Sequence, residues 1–288
     1  MRVLVTGGAG FIGTNLIKRL LSDGHKVVSL DNYSNGLEEN EQKGCQYFGV
    51  DISEVVDYNF FITKPDVVFH LAALPRIQPS FDKPAHTFYA NVMGTQNVLE
   101  WARRDNIPVV YAGSSSTHGD LYANPYTFTK WQGEEICKMY SKIFDVSTSI
   151  CRFYNVYGPG QSTEGAYCNV LGIFERQHKN GEPLTITGDG EQRRDFTHVE
   201  DIVDGLIKVH RAMHGEVDMR YGGAEFEFGS GVNYSINELA DAFGDYPREY
   251  IPQPPGEMRE TLCTDTHTRE LLDWKSTRNI EDYIKKII

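Results

Sequence analysis

Short β-branched runs alternate with stretches of helical period through the first half of the chain, the pattern of a parallel sheet covered on both faces. The apolar runs predict strands over Arg2–Thr6, Lys26–Leu30, Gln46–Val50, Asp66–Leu71, Val109–Ala112 and Ser147–Cys151. Between them the periodicity predicts a helix over Phe11–Ser22, a short one near Glu54–Phe61, a long one from about Ala85 to Arg104, and one over Pro125–Ile143. Lys64-Pro65 and Ile107-Pro108 stop helices just before strands, since proline lacks an amide hydrogen and disfavours a helical residue ahead of it.

After Gly158 the texture changes. Gly, Pro and polar residues thicken through Tyr157–Gly165, and helices are expected near Asn169–Lys179 and Val199–His214 around a strand at Leu184–Thr187. The expected fold is α/β: a doubly wound parallel sheet over residues 1–157, then a smaller α/β lobe over residues 158–288, mainly for substrate, from which the chain is free to cross back. Long connections in a compact protein usually belong to ligand sites.

Composition narrows the classes. The chain has 288 residues, 40% of them hydrophobic, enough to bury a large core. Its 28 Lys and Arg against 40 Asp and Glu give a net charge of -12 with no basic run, so neither nucleic acid nor an anionic membrane is an expected partner. An anionic ligand must be met by a few local Arg, Lys or backbone N–H groups. The cysteines, Cys45, Cys137, Cys151, Cys168 and Cys263, are odd in number and scattered, without a C-x-x-C pair. Reduced thiols in a cytoplasm are expected, and no metal site. No signal-peptide pattern and no apolar run of about 18 residues is present, so secretion and membrane insertion are not expected.

The strongest local signal is Val3-Leu4-Val5-Thr6-Gly7-Gly8-Ala9-Gly10-Phe11-Ile12-Gly13, a strand, a glycine turn and an amphipathic helix. A pyrophosphate reaches bare N–H groups at the positive end of a helix only where no Cβ intervenes. The next strand ends in Asp31, whose carboxylate suits an adenosine ribose 2′,3′-diol and repels a 2′-phosphate, so NAD is favoured over NADP. This is the Rossmann arrangement. A second constellation, Tyr126-Thr127-Phe128-Thr129-Lys130, opens a helix just after the Val109–Ala112 strand and the hydroxyl run Ser114-Ser115-Ser116-Thr117. The i, i+4 spacing puts phenol and ammonium on one helical face, where the cation, with the positive nicotinamide nearby, is expected to lower the tyrosine pKa and make it a general base.

These blocks, together with Val50-Asp51-Ile52, His70-Leu71-Ala72-Ala73, Asn91 to Thr95, Arg152 to Pro159 and Arg194 to Asp201, resemble the extended short-chain dehydrogenase/reductases over essentially the whole chain. Within them the sequence is similar to the NAD-dependent nucleotide-sugar epimerases and dehydratases. The resemblance implies that Gly7, Gly10, Phe11, Ile12 and Gly13 hold the NAD pyrophosphate, with Asp31 and Asn32 at the ribose. Asp51 and Ile52 would contact adenine, Leu71, Ala72 and Ala73 would pass under the dinucleotide, and Lys130 would also hold the nicotinamide ribose. Ser114 falls at the catalytic hydroxyl, bonded to the sugar 4-hydroxyl, and Tyr126 would take that proton. Ser115 and Ser116 would line the sugar site, Asn155 would contact substrate, and Arg194 would bind its diphosphate.

Dehydratases of this family carry Asp-Glu after the catalytic Thr, and decarboxylases keep a glutamate there. Ser115 and Ser116 stand in those places and cannot act as carboxylic acids. The chemistry left is one oxidation and its reversal: 4-epimerisation of a nucleotide-diphosphate sugar with tightly held NAD, or reduction of a 4-keto sugar. A dinucleotide-binding sensor or structural protein is the non-enzymatic alternative, and a homodimer is the family's habit. Three departures stand out. Only a short stretch separates Gly119 from Tyr126, His118 takes the place of a usual Tyr, and Pro254 sits where a substrate-phosphate arginine is common, with Arg259 the nearby substitute. His118 and His70 are read as packing residues.

Overall fold

The computed structural model describes residues 1–54, 57–216 and 223–288. The first half runs β1 (Arg2–Thr6), α1 (Phe11–Ser22), β2 (Lys26–Asp31), β3 (Cys45–Gly49), β4 (Val67–His70), α2 (Ile77–Asp82), α3 (Pro84–Phe88), α4 (Gly94–Asp105), β5 (Val109–Ser114), α5 (Pro125–Phe144) and β6 (Thr148–Phe153). The chain continues through β7 (Val156–Tyr157), α6 (Val170–Asn180), β8 (Leu184–Thr187), β9 (Arg193–Asp195), β10 (Thr197–His198), α7 (Val199–Arg211) and β11 (Ala224–Phe228). It ends with β12 (Asn233–Ser235), α8 (Ile236–Asp241), β13 (Arg248–Ile251), α9 (His267–Leu272) and α10 (Ile280–Ile287).

Among the described residues the large sheet has seven strands in the order β11-β6-β5-β4-β1-β2-β3, every pairing parallel. The winding direction reverses between β1 and β4, and an open α/β sheet binds its ligand in the crevice beyond the strand ends at such a point. Alternation along β1 feeds two cores. Val3 and Val5 pack with Leu16, Ile17 and Leu20 of α1 and with Ile202 and Leu206 of α7, while Leu4 faces Val98, Leu99 and Trp101 of α4. Burying one such side chain is worth about 1.5–3 kcal/mol. A third cluster, with Phe174 of α6, Ile186 of β8, Leu239 of α8 and Ile284 of α10, is the core of the smaller lobe.

The second half of the chain returns to the first sheet. Helix α7 lies in the core beside α1, and β11 pairs with β6, placing Phe226 and Phe228 in the same cluster as Trp274. The sequence reading passed over β11. Its Ala-Glu-Phe-Glu-Phe alternates strictly, but its polar face carries Glu225 and Glu227, which are matched only once Arg152 of β6 stands opposite.

Two expected helices differ. Near Glu54–Phe61 there is one 3₁₀ turn, Tyr58–Phe60, started by Asp57 accepting from the Asn59 N–H; Val55 and Val56 lie outside the described residues, and so short a segment cannot offset helix nucleation. The helix expected from Ala85 starts at Pro84, and between α3 and α4 it winds wider, as a π-turn over Tyr89–Met93. Asn91 in that turn accepts from the Leu74 N–H at 2.7 Å and donates to the Leu74 carbonyl at 3.2 Å and to Thr129 at 3.0 Å. One side chain thus pins the segment leaving β4 to α5, which fixes the floor of the crevice. Helix α7 ends at Arg211, before a wider turn over Ala212–Glu216. Helix α2 was not foreseen, as its Ile-Gln-Pro-Ser-Phe-Asp is too short to show a period. Among the described residues no helix is long and apolar enough to cross a membrane.

Candidate active site

The turn from β1 into α1 is held by contacts that exclude side chains. Gly7 has φ +74°, and a Cβ there would stand 2.7 Å from the Ala72 nitrogen. A Cβ on Gly13 would stand 2.2 Å from the Gly7 oxygen, so any other residue would push α1 off the loop. At Gly10, the N-cap of α1, an added Cβ would meet the Gly7 oxygen at 3.3 Å and, among the described residues beyond its chain neighbours, nothing else within 4 Å. The leading N–H groups of a helix have no partner within it, so those of Phe11 and Ile12 are offered to an anion in that open space.

Asp31, at the end of β2, ties this loop down. Its Oδ2 accepts from the Ala9 N–H and its Oδ1 from the Tyr33 N–H, both at 2.9 Å. Burial raises its pKa, and the two amide bonds oppose that. Asn32 donates to Asp51 at 3.0 Å, and the Ser53 amide and hydroxyl bond the other Asp51 oxygen. Burial pulls the Asp51 carboxyl up, but these donors outweigh it and its pKa is lowered. Ile52 is buried and packs against Gly94. Beyond β4, the Leu71 and Ala72 amides donate to the Thr6 carbonyl and hydroxyl, laying Leu71, Ala72 and Ala73 beside the glycine loop. His70 is buried between the Thr6 hydroxyl at 2.8 Å and the Thr95 hydroxyl at 3.0 Å, and burial, then Lys130, lowers its pKa to about 3. It is a neutral packing residue.

The second cluster stands where β5 ends. Ser114 Oγ lies 2.9 Å from Ser116 Oγ and 3.3 Å from the Tyr126 hydroxyl, with Ser115 buried beside it. Asn124 caps α5 by accepting from the Thr127 N–H at 2.8 Å, Pro125 takes the first helical position, and Tyr126 follows with its N–H donating to Ser80 at 3.1 Å. The ammonium of Lys130, one turn on, donates to the Ala112 carbonyl and lies 4.4 Å over the Tyr111 ring.

In the protein without the dinucleotide, Lys130 is not among the charges that lower the phenol pKa. Burial raises the Tyr126 pKa, and what draws it back is the Ser114 hydrogen bond and the charge of Arg76. Burial also brings Lys130 down to about 8, against the opposing charge of Glu134. With the protein alone, desolvation wins over the one-turn spacing.

Three residues of this region escaped the sequence reading. Glu134 Oε1 accepts from the Ser114 N–H at 3.2 Å, and its Oε2 accepts from Arg152 at 2.9 and 2.7 Å. Glu134 continues the face of Tyr126 and Lys130 at the next i, i+4 step, so helical spacing could have found it. Arg152 also reaches Glu225 and Glu227, and a Cβ on Gly113 would meet Glu134 Oε1 at 2.8 Å, so a side chain there would displace the carboxylate that holds the Ser114 N–H. The third is Arg76, in an apolar stretch with no period to mark it.

Other expected residues lie at the edges. Asn155 donates to the Asp195 carbonyl at 3.1 Å and to the Thr261 hydroxyl at 3.2 Å, so its amide hydrogens serve the fold. Arg194 is mostly buried and pairs with Glu257 at 3.4 Å. Arg259 is exposed and held by Asp189 at 2.8 and 3.0 Å, outside the cluster. His118 bonds Glu227 at 3.0 Å, which raises its pKa.

The NAD dependent epimerase/dehydratase family matches residues 3–219. The chain belongs to this family. Among its relatives, the UDP-glucose 4-epimerase of Mycolicibacterium smegmatis is 34% identical, covering 100% of this chain and 97% of that one. The UDP-N-acetyl-alpha-D-glucosaminuronate decarboxylase of Bacillus cytotoxicus is 30% identical, covering 83% and 78%. The structure of UDP-glucuronic acid 4-epimerase from Bacillus cereus, in complex with UDP-glucuronic acid and NAD, superposes with a TM-score of 0.87 at 27% identity and full coverage of both chains.

As a member of the epimerase/dehydratase family the protein is an NAD-dependent enzyme. The loop it presents fits that cofactor: a cradle that a Cβ at Gly7 or Gly13 would fill, open N–H groups at the head of α1, and a carboxylate at the end of β2.

Proposed function

We propose that the protein is a nucleotide-sugar 4-epimerase. Gly7, Gly10, Phe11, Ile12 and Gly13 would hold the dinucleotide pyrophosphate, Asp31 and Asn32 its ribose, Asp51 and Ile52 the adenine, and Leu71, Ala72 and Ala73 its underside. NAD, when bound, supplies the hydride acceptor and donor. Tyr126 takes the proton of the sugar 4-hydroxyl and later returns it, and Ser114 orients that hydroxyl. Lys130 would hold the nicotinamide ribose, and the positive charge that oxidised NAD supplies when bound would favour the phenolate of Tyr126. Arg194, with Asn155 nearby, faces the substrate diphosphate, giving up Glu257 for a stronger anion.

The observation that carries the reading is the 3.3 Å Ser114–Tyr126 contact with only hydroxyls at Ser115 and Ser116. Eliminating water, or protonating the enolate left by loss of carbon dioxide, calls for an additional acid or base, and Glu134, the carboxylate bonded to the Ser114 N–H, is also held by Arg152. Retention of NAD separates an epimerase from a 4-keto-sugar reductase, and Asp31 favours a retained NAD over an exchanged NADPH. The five unpaired thiols suit a reducing cytoplasm. Purified protein given a panel of nucleotide sugars should interconvert C4 epimers, seen by product NMR, with no net NADH. Steady consumption of NADH or NADPH with a 4-keto sugar would establish the reductase instead.

A further inference from the structure

The segment leaving β4 reaches Arg76 just before α2, at φ 105° and ψ 139°. Backbone there is ordinarily left to glycine, because a Cβ is strained. The chain nevertheless carries an arginine. Its Nε donates to the Tyr167 carbonyl at 2.9 Å, and among the described residues it forms no ion pair within 4.0 Å. The other partly buried arginines of the region are committed, Arg152 to Glu134, Glu225 and Glu227, and Arg194 to Glu257. A half-buried guanidinium with no ion pair of its own among the described residues is open to an incoming anion, and its planar fork matches a carboxylate.

The surroundings locate that anion. Helix α2 is fastened to α5 where Ser80 accepts from the Tyr126 N–H, and to the tail where Gln78 donates to the Pro255 carbonyl at 2.9 Å. Tyr126, Cys168 and Glu257 are the groups whose charges act on Arg76. On one side of Arg76, Leu74 is pinned through Asn91 to Thr129 of α5, and on the other Ser80 holds the Tyr126 N–H, so the segment that carries Arg76 lies along the Tyr126 turn of α5. Arg194, on β9, is paired with Glu257 of the tail. On the epimerase reading, Tyr126 faces the hydroxyl on C4 of the sugar and Arg194 the diphosphate on C1. An anion close to C4 and distinct from the diphosphate is a carboxylate on C5.

We propose that Arg76 binds a carboxylate on C5 of the sugar, so that the substrate is a nucleoside-diphosphate hexuronate. This rests on the C4-epimerase reading. The test compares UDP-glucuronate with UDP-glucose, by turnover and by calorimetric Kd, in the NAD-loaded wild type, Arg76→Gly and Arg76→Lys. Glycine accepts φ 105° without strain, so the first variant keeps the fold, and its thermal midpoint and bound NAD confirm that. The wild type should favour the uronate in kcat/KM and in Kd by about 30- to 1,000-fold, the value of a buried carboxylate–arginine pair. Arg76→Gly should bring that ratio to near one, chiefly through KM, and Arg76→Lys should recover part of it. Equal preference in the wild type would overturn the proposal, and so would equal loss on both sugars, which would assign Arg76 to the phenol or the diphosphate. If neither sugar epimerises, the epimerase reading fails, and the Kd ratio still decides the role of Arg76.

Discussion

At the glycine-loop end of the cleft the walls are backbone, with N–H groups of α1 uncovered where Gly7 and Gly13 leave no room for a Cβ. At the other end they are side chains drawn from distant segments: Arg76, Ser114, Tyr126, Glu134, Arg152, Arg194 and Glu257. The first is a shape, set by local sequence and indifferent to protonation. The second is a balance of burial against charge, in which the phenol is pushed up by desolvation and only partly drawn back. A shape can be complete before the ligand arrives; the charge balance is completed by what binds.

The comparison is most sharply tested by separating the two ends. Tyr126→Phe should lower kcat by about 10²- to 10⁴-fold, the usual worth of a general acid–base group, while bound NAD stays at the wild-type level. Loss of NAD along with turnover would show that the two ends are one unit. Gly13→Ala is the converse. A methyl 2.2 Å from the Gly7 oxygen must shift α1 or the loop, so NAD affinity should fall by about 100-fold, in line with a 1–3 kcal/mol overpacking cost, with the Ser114 and Tyr126 environment kept. Unchanged affinity in a fluorescence titration would mean that the loop yields where its backbone looks fixed. Asp31→Ala should weaken NAD by about 10-fold, a charged hydrogen bond's worth, and NADP by less. An equal loss for both would leave Asp31 as a tie for the loop alone, through Ala9.

The smallest effect belongs to the residue between the two ends. His70 is held neutral, with its pKa lowered to about 3 from 6.5, so the unfolded chain binds a proton there that the folded one refuses. Stability should be indifferent to His70 above about pH 6.5 and should drain away as pH falls from there toward 3. His70→Gln should flatten that fall by a few degrees in thermal midpoint, at about 2–4 °C per kcal/mol for a protein of this size. A slope unaltered by the substitution would place the acid sensitivity elsewhere.

The same contrast explains what was legible in the sequence. The β1–turn–α1 unit and Asp31 could be read because each depends on neighbours a few residues away, and helical spacing gave the register of Tyr126 and Lys130 on α5. What spacing could not give was burial. Lys130 is spent on the Ala112 carbonyl and the Tyr111 ring, so proximity along the helix did not become a lowered phenol pKa. Strand β11 and the Glu225 and Glu227 partners of Arg152 were hidden because the chain crosses back more than 70 residues later to supply them. Arg76 was hidden for another reason: its strained backbone, and its lack of an ion pair among the described residues, are facts of tertiary structure, with no period or motif to announce them.

The central claim is that one enzyme-held dinucleotide serves both directions at C4, with Tyr126 exchanging the hydroxyl proton. It is tested most directly by turning over a nucleotide sugar deuterated at C4 in ordinary water and reading both epimers by NMR. The account predicts that deuterium remains on C4 of substrate and product alike, with none in solvent and none in released NADH. Deuterium lost to water, or carried off on free cofactor, would contradict it.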